Sequence, residues 1–258
     1  MSASPTPVAL VTGASRGIGR RLCIDLARAG YDVVCAARSS NAHRSKLPGT
    51  VDETAAAVEQ EGRRAMAVAL DVQDEAAVAA LVERLYRDWG RCDVLINNAA
   101  VAPPKPALDD SIKRWRLAMD VNVNGPFYLM YHLCPRMKAG GGGRVINVSS
   151  AAAVFPEFGR ASYTASKLAL EGMTQALAHD LRGAVAVNCI RIEIPIWTEG
   201  FDATLGNDAD TSGFEDAAIM SDAVLWLLAQ ELTVTGRILT LGDLRAQGAV
   251  RAVTRAAR

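Results

Sequence analysis

The 258-residue chain has no excess of either charge, no apolar run of about 18 residues and no cysteine pair at metal-ligand spacing. Its 28 Lys and Arg balance 28 Asp and Glu, so nothing draws it to nucleic acid or to an anionic membrane surface. Without a long apolar run it offers no membrane span. Cys23, Cys35, Cys92, Cys134 and Cys189 are scattered and are expected as small buried hydrophobes in a reducing compartment. His43, His132 and His179 do not converge with them, so no metal site is expected. The start, Met-Ser-Ala-Ser-Pro-Thr-Pro, lacks a basic segment followed by an apolar stretch, and the cytoplasm is the expected location.

What the chain does have is alternation. Short apolar runs at 8–11, 32–35, 66–70, 94–96, 144–148, 185–190 and 237–241 read as strands. Near-continuous apolarity is what parallel strands covered on both faces show. Helix-like stretches lie between them at about 18–29, 52–61, 74–89, 111–138, 161–181 and 215–230. The pattern predicts one α/β domain over residues 7–248, with a doubly wound parallel sheet of about seven strands and flexible tails at 1–6 and 249–258. Residues 198–214, polar and rich in Gly and Asp, read as a long loop, either a functional lid or a plain connector.

Thr12-Gly-Ala-Ser-Arg-Gly-Ile-Gly19 follows the first strand and opens the first helix. Gly13 permits the tight turn, Gly17 lets the backbone approach a pyrophosphate, and Gly19 allows close packing. Ser15, Arg16 and Ile18 complete the turn, whose helix N-terminus attracts phosphate. The second strand lacks the terminal acid that selects a free ribose 2′-hydroxyl; it ends Cys35-Ala-Ala-Arg38. Arg38, with Arg16, either clamps a 2′-phosphate or is a solvated surface residue; NADP(H) is expected over NAD(H). Asp71-Val72 closes the third strand, where Asp71 either meets adenine or caps the next helix.

Tyr163 and Lys167, four apart on a helix, project from one face. A phenol holds its proton too tightly for a base at neutral pH, but a nearby ammonium favours the phenolate and brings proton transfer within reach. Ser150, thirteen residues before Tyr163, can orient a substrate carbonyl. Asn122 and Pro126 are also four apart. Proline has no N–H to offer the Asn122 carbonyl, which leaves a kink, a held water, or both. Phe155, Phe158, Trp197 and Phe201 stand out in a chain with 5% aromatics; they read as a substrate pocket or as ordinary core.

With Thr12–Gly19, Asn97-Asn-Ala-Ala100, Asn122, Ser150 and Tyr163-x3-Lys167 in this order, the chain resembles the short-chain dehydrogenase/reductase family from about residue 7 to 242. The resemblance implies a hydride-transferring oxidoreductase for a small carbonyl or alcohol. Its tetrad would be Asn122, Ser150, Tyr163 and Lys167, with a water on Asn122 relaying protons to Lys167. It further implies that Asn98 and Ala99 lie near the adenosine ribose, that Tyr163 and Lys167 face the nicotinamide ribose, and that Thr198 lies near the carboxamide. A homotetramer is implied, as is closure of 198–214 over the ligands. The segment Ser45-Lys-Leu-Pro-Gly-Thr50 looks like one in hydroxysteroid-dehydrogenase-like members and is expected near the adenosine end.

The chain departs from the family pattern at three places. Ala100 replaces a glycine. Ile192-Glu193 stands where Pro-Gly is usual, so that Glu193 either lines the substrate pocket or turns outward. Leu241-Gly-Asp-Leu244 replaces Asp-Gly-Gly. An NAD-linked dehydrogenase and a non-catalytic dinucleotide-binding scaffold are the competing readings.

Overall fold

A computed structural model describes residues 6–102, 105–106, 108–203 and 210–251. Seven strands form one parallel sheet in the order β3-β2-β1-β4-β5-β6-β7. These are β1 (Val8–Thr12), β2 (Asp32–Ala37), β3 (Ala65–Ala69), β4 (Val94–Asn97), β5 (Gly143–Ser150), β6 (Val185–Ile192) and β7 (Ile238–Thr240). The order reverses between β1 and β4, the switch point where doubly wound sheets open a crevice at their C-terminal ends.

The apolar runs are continuous because each strand feeds two cores. Ala9 and Val11 face one layer, Val8 and Leu10 the other. The first layer holds α1 (Gly17–Arg28), α2 (Val51–Gln60), α8 (Ala218–Leu228) and α9 (Leu241–Ala246). On the opposite face lie α3 (Glu75–Trp89), α5 (Gly125–Ala139) and α6 (Ala161–Asp180). Local chemistry sets the helix ends. Thr50 Oγ1 accepts from Glu53 N–H at the start of α2, Asp74 from Ala77 N–H at the start of α3, and Gly90 ends α3 at φ +77°.

Three expectations need correction. The long helix expected over 111–138 is α4 (Ile112–Met119), a π-helical turn (Asp120–Asn124) and α5. Pro126 comes just after the π turn, inside backbone that stays helical from Ile112 to Ala139, so its missing N–H falls where the hydrogen-bond ladder changes step. The late loop contains a one-turn helix, α7 (Glu199–Asp202), and the C-terminal departure forms α9. The ordered chain also continues past 248: Ala249 N–H donates to Leu244 O, and Val250 is buried. Residues 1–5 and 252–258 of the expected tails, and 204–209 of the late loop, lie outside the described residues. All five cysteines are buried and free; burial pushes the Cys134 and Cys189 thiols up to about 12. No helix among the described residues is long and apolar enough to cross a membrane.

Candidate active site

At the switch point the backbone turns too tightly for side chains. Gly13 and Gly17 have φ of +67° and +53°, values that favour glycine. A Cβ on Gly19 would lie 2.2 Å from Gly13 O, so only glycine lets α1 pack this close to the turn. Asn98, just beyond β4, braces it: its Nδ2 donates to Thr12 O at 2.9 Å, while Thr12 Oγ1 accepts from the Asn98 and Ala99 N–H groups.

These elements enclose a cleft of about 330 Å³. Gly13, Ser15, Arg16, Gly17, Ile18 and Gly19 line its floor; Arg38, Asp71, Val72, Asn98, Ala99 and Thr198 complete it. Ser39, Ser45 and Gly200 also reach it; the sequence had placed the 45–50 and 198–214 segments near the ligands. Arg16 lines the cleft and is also tied to the neighbouring loop. Its Nε donates to Pro48 O at 2.7 Å and its Nη2 reaches Ser45 Oγ, Leu47 O and Gly49 O. It thus holds the 45–49 loop against the glycine turn. Arg38 is exposed on the same cleft. Asp71 is not the cap of α3, which is Asp74; its carboxylate takes Gln73 N–H and side-chain amide.

One feature of the cleft was not foreseen. No residue of α1 caps its own N-terminus, and its first turn carries no acid. Instead Gly17 N–H donates to Glu199 Oε2 at 2.9 Å, across 182 positions of chain.

The other predicted group gathers beside this cleft. Ser150 ends β5, with Oγ accepting from Ala152 N–H as the cap of a 3-10 turn, Ala151–Ala153. The helix α6 packs on β5, on that turn and on the π turn. Lys167, buried, donates from Nζ to Val148 O at 2.6 Å and lies 5.6 Å from the Tyr163 ring centroid. Asn122 is buried on the π turn. Its Oδ1 accepts from Val101 N–H, and its Nδ2 donates to Val101 O and to Ser166 Oγ, which itself donates to Tyr163 O. The side chain of Asn122 therefore ties α6 to the segment after β4.

Glu171, one turn beyond Lys167, was missed. It is 3% exposed and accepts from Ser149 Oγ at 2.8 Å and from Arg191 Nε and Nη2 at 2.8 and 2.6 Å. Its bonds link α6, β5 and β6 directly beneath Ser150. The continued spacing Tyr163, Lys167, Glu171 was the available signal.

Glu193 follows neither expectation. Its carboxylate accepts from Leu241 N–H at 3.1 Å and from Gly242 N–H, capping α9. The four aromatics do not enclose a pocket: Phe155 and Phe158 are 71% and 91% exposed. Trp197 Nε1 donates to Asp202 Oδ1, and Phe201 stacks on Phe214 with centroids 5.4 Å apart. Among the described residues, no group of three or more metal-ligating side chains occurs.

Comparison with known proteins agrees with this architecture. The family model for short chain dehydrogenase matches residues 7–196. A short-chain type dehydrogenase/reductase of Picea abies is 34% identical over 248 residues, covering 89% of this chain and 91% of its own. Hydroxysteroid dehydrogenase-like protein 2 of Xenopus laevis is 30% identical over 93% of this chain, which spans only 58% of that longer protein. The structure of a Mycobacterium paratuberculosis short chain dehydrogenase bound to NAD superposes with a TM-score of 0.80 at 28% identity, over 93% of this chain and 97% of the other. A match running from the residue before β1 to the segment after β6 places the protein in the short-chain dehydrogenase/reductase family.

Proposed function

We propose that the protein is an NADP(H)-dependent oxidoreductase acting on a small carbonyl or alcohol. The observation that carries this is the packing of α6, with Lys167 Nζ 5.6 Å from the Tyr163 ring, against β5 and the turn after Ser150, next to Val101 and Val121 of the glycine-floored cleft. The residues present fit a dinucleotide. The N-terminus of α1, which none of its own side chains caps, suits phosphates, and the turn leaves no room for side chains at Gly13 and Gly19. Gly13–Gly19, Asn98, Ala99, Asp71 and Val72 would hold it, with Thr198 against Gly17; Arg38 would meet the 2′-phosphate. A nicotinamide bound there supplies or accepts the hydride.

The protein's own residues handle the proton. Ser150 Oγ hydrogen-bonds the substrate oxygen and fixes its direction. Tyr163 delivers its phenolic proton to that oxygen on reduction and takes it back on oxidation. The positive charge of Lys167 stabilises the phenol oxygen as the proton leaves. Asn122 holds the π turn against α6, so that a water on its carbonyl can return a proton towards Lys167. The scaffold reading leaned on the missing Pro-Gly; the capping role of Glu193 gives that departure a structural purpose.

The test is a panel of ketones, aldehydes and alcohols read by nicotinamide absorbance, with NADPH and NADH in parallel. Binding without turnover on every compound would favour the scaffold; tighter NADH binding would favour the NAD-linked enzyme. We also propose a homotetramer. Phe127, Tyr131 and Leu168 stand 42%, 64% and 54% exposed on α5 and α6, apolar area that association covers. Light scattering at micromolar concentration should return four times the 27.4 kDa chain mass; a monomer would overturn it.

A further inference from the structure

We propose that Glu199 holds the place of the cofactor's pyrophosphate in the free protein, and thereby sets how tightly the dinucleotide binds. The proposal rests on the dinucleotide reading above but concerns a residue that reading does not use.

A helix N-terminus presents amides with no partner inside the helix and a positive dipole end. Helices ordinarily satisfy these groups with a nearby Ser, Thr, Asp or Asn. In α1 the cap position is Arg16, which makes no such bond, and the first turn holds no acid. The side-chain acceptor arrives from α7, where Glu199 Oε2 lies 2.9 Å from Gly17 N. A carboxylate there makes the same charge-assisted bond that a phosphate oxygen would make.

The contact extends beyond one hydrogen bond. A Cβ built on Gly17 would meet Thr198 Cβ and Cγ2 at 3.0 Å and Glu199 Oε2 at 3.6 Å, so the strap lies directly on the glycine turn. Thr198 and Gly200, on either side of Glu199, line the same cleft as Gly13–Gly19. The charge of Glu199 also acts on Arg16, against the effect of burial. The strap has its own footing. Thr198 Oγ1 accepts from Phe201 N–H, Trp197 N–H donates to Glu215 O, and Ile196 bridges to Glu215. Moving Glu199 aside therefore leaves the strap attached at its base.

One N–H cannot serve two anions in good geometry. Dinucleotide binding must displace the carboxylate, and the free energy of that bond is subtracted from the affinity. Bonds of this charged kind are strong when dry, and this one is part-exposed, so the expected penalty is about tenfold in affinity.

The experiment measures binding to the wild type, Glu199→Gln and Glu199→Ala by calorimetry, with NADPH, NADH and adenosine 2′-monophosphate as probes. Both dinucleotides should bind Glu199→Ala about tenfold tighter. The effect in Glu199→Gln should be smaller, because the amide oxygen still accepts but carries no charge. The monophosphate has no pyrophosphate and should bind all three proteins equally. In ligand-free protein, hydrogen exchange at the Gly17 amide should quicken in Glu199→Ala. Equal or weaker dinucleotide binding by Glu199→Ala overturns the proposal, as does equal tightening of the monophosphate. If no form binds either dinucleotide, the functional reading falls and takes this proposal with it; unchanged affinities remove this proposal alone.

Discussion

The β1–β4 end of the sheet and the region beyond β5 position their groups by different means. At the first, backbone does the work: glycines at 13, 17 and 19, strand ends at Arg38 and Asp71, and one bracing amide at Asn98. Beyond β5 the same tasks fall to carboxylates with distant partners. Glu171 joins α6 to β5 and β6, Glu193 reaches 48 positions forward to α9, and Glu199 reaches 182 positions back to Gly17. Backbone placement tolerates side-chain change outside the glycines. Carboxylate placement concentrates the risk in single residues, each of which must find its partner.

Removing one carboxylate from the buried network should therefore have the largest effect. Glu171→Ala strands Arg191 and Ser149 without their acceptor, and breaking a buried pair from one side typically costs about 3–5 kcal/mol. Urea unfolding of the variant checks this. The double change Glu171→Met with Arg191→Met removes the stranded charge and should regain most of the loss. A single variant as stable as the wild type would erase the contrast between the two regions.

Next in size is the effect on chemistry at α6, the helix both regions share. Tyr163→Phe keeps the ring and removes the proton, so turnover should fall roughly 100-fold or more. Dinucleotide affinity should change little, since the cleft is lined by the β1–β4 end and the strap. Near-normal turnover on the true substrate would refute the assignment; lost binding would show that α6 belongs to the cleft after all.

The same division decided what the sequence could convey. Strands were legible because both faces of the sheet are apolar, and the glycine turn because its residues are contiguous. The proposed Tyr163–Lys167 pair came from spacing within α6, and the place of Asn122 beside it from the family resemblance. The π turn was hidden, because Asp120-Val-Asn-Val-Asn124 runs between two helices and no residue type in it marks the wider turn. Glu193 was misplaced and Glu171 and Glu199 were overlooked for one reason: a carboxylate carries no mark of its partner when that partner is a backbone amide or an arginine on another element. The late aromatics misled in the opposite direction. Phe155 and Phe158 suggested a pocket by type, yet the turn that carries them leaves both in solvent.

Specificity for the dinucleotide should move by a smaller factor, and it probes the backbone-built end. Arg38 hangs from the end of β2 without helping to hold the fold, so Arg38→Asp should fold normally. It should weaken NADPH binding by about tenfold or more through lost charge pairing and new repulsion, and improve NADH relatively. Titration by nicotinamide fluorescence gives both constants. A wild type that prefers NADH would remove the premise.

The smallest expected effect belongs to Glu193, and it separates a capping role from a role in the pocket. Its two oxygens satisfy the first amides of α9, whose own cap is Thr240, in a capping box with Asp243. With that local cap already in place, Glu193→Ala removes a second acceptor and should cost about 1 kcal/mol, within the range for capping side chains. Leu241 and Leu244 are fully buried in the first core, so the loss should appear as a lower unfolding midpoint with unchanged cooperativity, not as a detached C-terminus. Glu193→Gln keeps an acceptor and should recover part of it. The kinetic constants of both variants should match the wild type, because the side chain points to α9 and not towards Ser150. A changed KM with unchanged stability would put Glu193 back in the substrate pocket, and the region beyond β5 would then be shaped by substrate as well as by its carboxylate anchors.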